Sequence, residues 1–188
     1  MDRVRWHEAR AWRHVGLSST WATWLLDRGS LTQRLQQISA APVQVKVLCQ
    51  YWDYPANDER QLLHLAPRHY ARLREVYLGN GQQYWVFART VLPESLLTGK
   101  YAYLKHWGEK PLGDILFSHP TLMRQQLQIT QIPILHPLLK NIRTDFSPFQ
   151  AKNNPFFWAR RSLFYLEKKP LLILEVFLPS LKSDIGLC

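Results

Sequence analysis

Four strand-length segments, joined in pairs by three-residue turns, constrain this chain more than any other feature. Tyr70–Leu78 and Gln82–Leu92 flank Gly79-Asn80-Gly81, residues that accept positive φ. Phe156–Leu166 and Pro170–Leu178 flank Glu167-Lys168-Lys169. Such short connections join antiparallel neighbours, because a parallel pair needs a crossover of about a dozen residues or more. Thr121–Gln131 reads as a further strand. So does Pro42–Tyr54, where Val43, Val45, Val47, Cys49 and Tyr51 alternate with other residues and are expected on one buried face.

The helical signals gather at the front and in the middle. Ser18 or Ser19 caps a helix running through Trp21, Trp24 and Leu25 to about Asp27, and Gly29 stops it. Ser30 with Gln33 makes a capping-box pattern for a second helix, Leu31–Ile38. Two more helical pieces are expected over Glu94–Trp107 and Leu112–Phe117, the latter opened by Pro111. Pro55–Arg60 reads as a loop, and residues 1–18 show no period. Pro133–Asn154 reads as an inserted loop with a helical turn at Leu138–Ile142. The grouping predicts an α+β fold: a single antiparallel sheet of about six strands with flanking helices that enclose a buried ligand pocket.

Composition narrows the class. At 188 residues and 46% hydrophobic, residues 1–188 are expected to form one domain with its own core. Cys49 and Cys188 are too few for a disulfide framework or a paired-cysteine zinc site, and a cytoplasmic location is the simplest expectation. The first sixteen residues lack the apolar core of a secretory signal. The longest apolar run, Pro170–Pro179, is too short to span a bilayer and is broken by Glu175. Lys and Arg number 24 against 14 acidic residues, a net charge of +10. This surplus is scattered, without a basic tail, so it suits nucleic acid, an acidic membrane or a small anion equally, or simply a soluble surface.

Some charged residues fit a plain scaffold poorly. Glu175 shares a strand face with Leu171, Ile173 and Phe177, where a carboxylate is costly unless paired or protonated. It is alternatively at a strand edge, reaching water. Arg72 and Arg74 alternate on one face of the first hairpin with Val76 and Leu78, and Arg89 shares a face with Trp85 and Phe87 in the returning strand. An arginine on an apolar face is a fork for a carboxylate, although an internal salt bridge, for instance with Glu75, or snorkelling to water serves as well. Together these residues outline an apolar pocket for a small, flat, hydroxylated anion. No glycine-rich phosphate loop, Gly-x-Ser-x-Gly elbow or zinc-ligand cluster is present.

The chain resembles the chorismate pyruvate-lyase family. Six segments carry the resemblance in order: Trp24–Leu35, Leu73-Arg74-Glu75-Val76-Tyr77-Leu78, Ala88-Arg89-Thr90-Val91-Leu92-Pro93, Pro111–Phe117, Phe157-Trp158-Ala159-Arg160-Arg161-Ser162 and Lys169–Pro179. The likeness runs from about Trp24 to Pro179. Residues 1–23 match poorly, and the 133–154 insertion is longer than in better-known members. The resemblance implies conversion of chorismate to 4-hydroxybenzoate and pyruvate, at the head of ubiquinone synthesis, without a cofactor or metal. It implies that Arg74 grips the ring carboxylate and Glu175 the ring hydroxyl. It further implies that the backbone at Leu112 lines the pocket, and that Leu31 sits in a helical flap where the family has methionine. Arg89 matches a family arginine near the pocket, and Arg89 or a neighbouring cation is the candidate for the enolpyruvyl carboxylate.

The expected partners are therefore chorismate and 4-hydroxybenzoate, with no nucleic acid, and the expected state is a monomer. Lys140, Arg143 and Lys152 in the insertion leave room for peripheral membrane contact. The competing function is a non-catalytic, effector-sensing domain of the same fold that binds a small aromatic acid. Such domains usually follow a helix-turn-helix module, and about twenty residues precede the first helix here, too few for one.

Overall fold

In the computed structural model, which describes residues 4–106, 108, 112–117, 119–142 and 156–184, the strand segments form one antiparallel sheet of seven strands. In chain order these are β1 (His7–Glu8), β2 (Gln44–Asp53), β3 (Ala71–Gly79), β4 (Tyr84–Pro93), β5 (Leu122–Pro133), β6 (Phe156–Leu166) and β7 (Lys169–Phe177). Across the sheet they run β1-β5-β6-β7-β4-β3-β2. The hairpins β3–β4 and β6–β7 meet at the centre, where Val86 faces Phe177 and Val91 faces Leu172. The first turn holds because Asn80 Oδ1 accepts from the amides of Gln82 and Gln83, each at 3.0 Å. Gly79 is required there, since a Cβ would come within 2.0 Å of the Gln83 carbonyl oxygen.

The helices are α1 (Ser19–Leu25), α2 (Leu31–Ile38), α3 (Asn57–Leu62), α4 (Leu112–Phe117) and α5 (Pro179–Asp184). Serine caps open the first two. Ser18 Oγ accepts from the Trp21 amide at 3.3 Å, and Ser30 Oγ accepts from the Gln33 amide at 3.4 Å. Trp21, Trp24 and Leu25 of α1 and Leu31 and Leu35 of α2 are buried in one cluster with Val45, Val76, Val86 and Phe177 of the sheet. The opposite face, with Tyr77, Phe87, Leu174 and Val176, is covered by Ile134, Leu139 and Ile142. The first part of the 133–154 segment thus closes the far side of the sheet. Residues 143–154, with Arg143 and Lys152, lie outside the described residues, as does Cys188.

Several expectations are corrected. The sheet has seven strands because the N-terminal stretch, which has no period, still contributes β1. It pairs with β5 through His7–Ile129 and Glu8–Gln128. Pro55–Arg60 is not all loop: α3 begins at Asn57, and Glu59 Oε2 accepts the Ala56 amide at 2.9 Å at its start. The Glu94–Trp107 piece is turns followed by a 3₁₀ helix over Gly99–His106. The turn in the insertion is a 3₁₀ helix over Pro137–Leu139, earlier than expected.

Among the described residues three bulges interrupt the sheet; one falls in β5 between Arg124 and Gln126, and the other two defeat the alternation expected above. In β2, Val47 pairs with Val76 but Cys49 pairs with Glu75, leaving Leu48 as an extra residue. Val43, Val45 and Val47 therefore pack with the helices, while the Cys49 thiol turns away and donates to Glu75 Oε2 at 3.3 Å. In β4, the pairs Leu78–Val86 and Gly79–Tyr84 leave Trp85 extra. Trp85 packs on the helical side and Phe87 on the other, so the two do not share a face. Among the described residues no helix is long and apolar enough to cross a membrane.

Candidate active site

A pocket of about 520 Å³, its open mouth included, lies between the helices and the sheet. The sheet supplies Arg74, Val76 and Leu78 from β3, Ala88 and Thr90 from β4, and Ile173 and Glu175 from β7. Phe164 of β6 and Arg124 of β5 extend this floor, and Val45 of β2 borders it. Leu31 and Thr32 of α2, with Leu112 and Gly113 of α4, line it from the helical side. The strand register explains the convergence. Arg74, Thr90 and Ile173 form one row of cross-strand neighbours, and Val76, Ala88 and Glu175 form the next. Arg74 and Glu175 are thus on the same face, two strands or about 10 Å apart across the sheet.

Arg74 is only 2% exposed, and its Nη2 donates to the Gly108 carbonyl at 2.8 Å. Burial pulls its pKa down to about 10, which still leaves it charged at neutral pH. Glu175 is 8% exposed and accepts from Arg160 Nε at 2.5 Å. Arg160 stands directly opposite it on β6 and is fully buried. The ion pair is what makes a carboxylate tolerable in this strand. Arg160 Nη1 also donates to the carbonyls of Trp24 at 2.9 Å and Asp27 at 2.8 Å. One side chain therefore fixes both Glu175 and the chain that leads from α1 into α2. That chain is further tied by Asp27, whose carboxylate accepts from Arg34 at 2.8 Å and from the Gly29 amide at 2.8 Å. Burial alone would raise the Asp27 pKa, but these bonds hold it below the ordinary value.

Arg124 is the second arginine in the pocket wall. Its guanidinium stacks over the Phe164 ring at 4.7 Å, and Nη1 donates to the Asp27 carbonyl at 3.0 Å. Burial lowers its pKa to about 10, against the pull of Glu175.

Of the five residues singled out from the sequence, the fold brings Arg74, Glu175, Leu112 and Leu31 to this one pocket. It does not bring Arg89 there. Arg89 follows Ala88 in β4 and points to the far face, where it donates to Glu59 at 2.8 Å and to Glu75 at 2.5 Å. Burial opposes its charge, but the two carboxylates raise its pKa above the ordinary arginine value. The sequence reading missed Arg124 and Arg160. Arg160-Arg161 reads as a surface doublet, yet in a strand apolar on both sides its members must be buried on opposite faces. Arg161 meets Asp58 at 2.7 Å and stacks over Trp6 at 4.3 Å. Among the described residues, no group of three His, Cys, Asp or Glu side chains could hold a metal ion.

An α+β domain whose sheet and helices wrap a charged pocket belongs with folds that enclose small ligands. Among solved structures it resembles PhnF from Mycobacterium smegmatis, with a TM-score of 0.57 at 13% identity over 82% of this chain and 66% of that one. It also resembles the SA0254 product of Staphylococcus aureus, with a TM-score of 0.53 at 13% identity over 81% of this chain and 90% of that one. These likenesses concern the fold alone. The sequence is more specific: the chorismate lyase family model matches residues 1–185, and the chain belongs to that family of lyases. It is 37% identical to a probable chorismate pyruvate-lyase of Coxiella burnetii, over 85% of this chain and 83% of that one. It is 34% identical to a probable chorismate pyruvate-lyase of Pseudomonas aeruginosa, over 95% and 94%.

Proposed function

We propose that this protein is a chorismate pyruvate-lyase, a cytoplasmic, cofactor-independent enzyme that supplies 4-hydroxybenzoate to ubiquinone biosynthesis. The observation that carries the reading is one pocket lined by Arg74, Glu175, Leu31 and Leu112 together. The buried Arg74 guanidinium suits a bidentate pair with the ring carboxylate. Glu175, oriented by Arg160, accepts a hydrogen bond from the ring hydroxyl.

The reaction is an elimination within one molecule. The ether bond between the ring and the enolpyruvyl oxygen breaks, and the ring carbon bearing the hydroxyl loses its hydrogen. The ring becomes aromatic, and the departing enolpyruvyl group gains one proton at its methylene to become pyruvate. No water, oxidant or reductant is consumed. Aromatisation drives the step, so the residues chiefly orient the substrate and exclude water. Glu175 either assists the proton or only positions the hydroxyl while the hydrogen passes within the substrate. Leu31, on α2 above the pocket, stays closed over product, which makes product release the expected slow step.

The test is to incubate the purified protein with chorismate and follow pyruvate and 4-hydroxybenzoate. Equal amounts of both products support the reading. Folded protein that binds 4-hydroxybenzoate but forms neither product would instead be a non-catalytic binder of aromatic acids.

A further inference from the structure

Resting on that reading, we propose that Arg124 holds the second carboxylate of the substrate, the one on the enolpyruvyl group, and that this contact lets the pocket tell substrate from product.

Arg74 on β3 and Arg124 on β5 each stand two strands from β7, on opposite sides of it. Glu175 of β7 lies between them, and all three side chains line the same pocket. The substrate has a ring carboxylate at one end and a hydroxyl at the other, and its acidic ether arm leaves the neighbouring ring carbon on a bond that leans toward the hydroxyl end. With the carboxylate on Arg74 and the hydroxyl on Glu175, the arm is directed past β7 toward β6 and β5. Among the described residues that line the pocket, the cation on that side is Arg124.

Arg89 cannot serve that arm, since it is on the other face of the sheet between Glu59 and Glu75. Arg160 is committed to Glu175 and to the carbonyls of Trp24 and Asp27. Arg124 borders the pocket, and its stack on Phe164 and its bond to the Asp27 carbonyl orient the guanidinium there. Its burial favours an anionic ligand, because a carboxylate would offset the desolvation that already lowers its pKa.

The contact has a consequence for turnover. The substrate carries two carboxylates and each product carries one. Once the ether bond breaks, pyruvate keeps the carboxylate on Arg124 while 4-hydroxybenzoate keeps the one on Arg74. Arg124 also touches the Asp27 carbonyl, at the start of the segment that leads into α2. The residue that senses the second carboxylate therefore adjoins the approach to the covering helix.

The experiment compares wild type, Arg124→Gln and Arg124→Lys. Titration calorimetry measures binding of 4-hydroxybenzoate and of 3-(carboxymethoxy)-4-hydroxybenzoate, an aromatic ligand with both carboxylates. Steady-state kinetics with chorismate runs alongside. Wild type should prefer the dicarboxylate by about 10-fold or more, as expected for a hydrogen bond between charged groups. Arg124→Gln should lose that preference and lower kcat/KM for chorismate by about 10- to 100-fold, while its affinity for 4-hydroxybenzoate changes less than about 3-fold. Retained 4-hydroxybenzoate binding certifies an intact pocket. Should Arg124→Gln not fold, Arg124→Lys decides, and it should lose part of the dicarboxylate preference. A preference that survives substitution overturns the proposal. So does an equal loss for both ligands, which would make Arg124 a support for the whole pocket. Binding needs no turnover, so a wild type that prefers the dicarboxylate but leaves chorismate intact would sink the lyase reading and leave the Arg124 subsite standing.

Discussion

The two faces of one sheet both bury arginines and glutamates, yet they are built to different ends. On the far face, Arg89 lies between Glu59 and Glu75, and Arg161 meets Asp58. Asn141 donates to Glu75 at 2.6 Å, and Cys49 adds its thiol. Charge there is answered by charge from the same chain. On the helical face, Glu175 is answered by Arg160, but Arg74 and Arg124 border a cavity. A closed ion-pair network is a structural device, whereas cations beside an apolar cavity make a receptor for an anion. The face on which a buried charge falls, more than its burial, decides its role.

The largest effect should come from breaking the receptor. Arg74→Ala is expected to weaken 4-hydroxybenzoate binding by about 100-fold or more, read by calorimetry, with a thermal midpoint close to wild type. It removes a guanidinium that borders the pocket, donates to the Gly108 carbonyl and is costly to bury.

Arg89→Gln should do the reverse. It strands Glu59 and Glu75 in the interior and is expected to cost about 3–5 kcal/mol in denaturant unfolding. Protein that does fold should bind 4-hydroxybenzoate within a few-fold of wild type. A selective loss of binding with unchanged stability would move Arg89 back to the pocket.

Arg160→Gln should show both effects, because Arg160 supports the fold and the pocket together. It stabilises Glu175 and also holds the carbonyls of Trp24 and Asp27. Stability and kcat/KM are both expected to fall, the latter by about 10-fold. An unchanged kcat/KM would show that orienting Glu175 contributes nothing to the reaction.

The smallest effect concerns Cys49. Burial and the neighbouring Glu75 push its thiol up to about 11, so little thiolate is present near neutrality. Its alkylation by iodoacetamide at pH 8, followed by peptide mass spectrometry, should be markedly slower than that of a free thiol. Glu75→Gln should speed it. Equal rates would mean that the far face is less acidic than its carboxylates suggest.

Much of this was legible in the sequence, for identifiable reasons. The hairpins were readable because their turns are short and Gly79-Asn80-Gly81 accepts the positive φ that a tight turn needs. Glu175 stood out because a carboxylate in an unbroken apolar strand demands a partner. The partner, Arg160, was hidden because strand pairing is long-range and a doublet looks like surface. Arg89 keeps the face of Phe87, as alternation predicts, but that face is set by the pairing of Arg89 with Glu75, a long-range register that leaves no trace in the sequence, and only Trp85 is turned over by the bulge. Arg124 lacked any local anomaly: it lies in the polar first half of β5, and only the fold carries it to the pocket wall.

The most direct test of the account is a crystal structure of the protein with 4-hydroxybenzoate bound. The ligand is expected beneath Leu31, with its carboxylate on the Arg74 guanidinium and its hydroxyl on Glu175. A ligand seated elsewhere, or one in this pocket with its carboxylate turned away from Arg74, would contradict it.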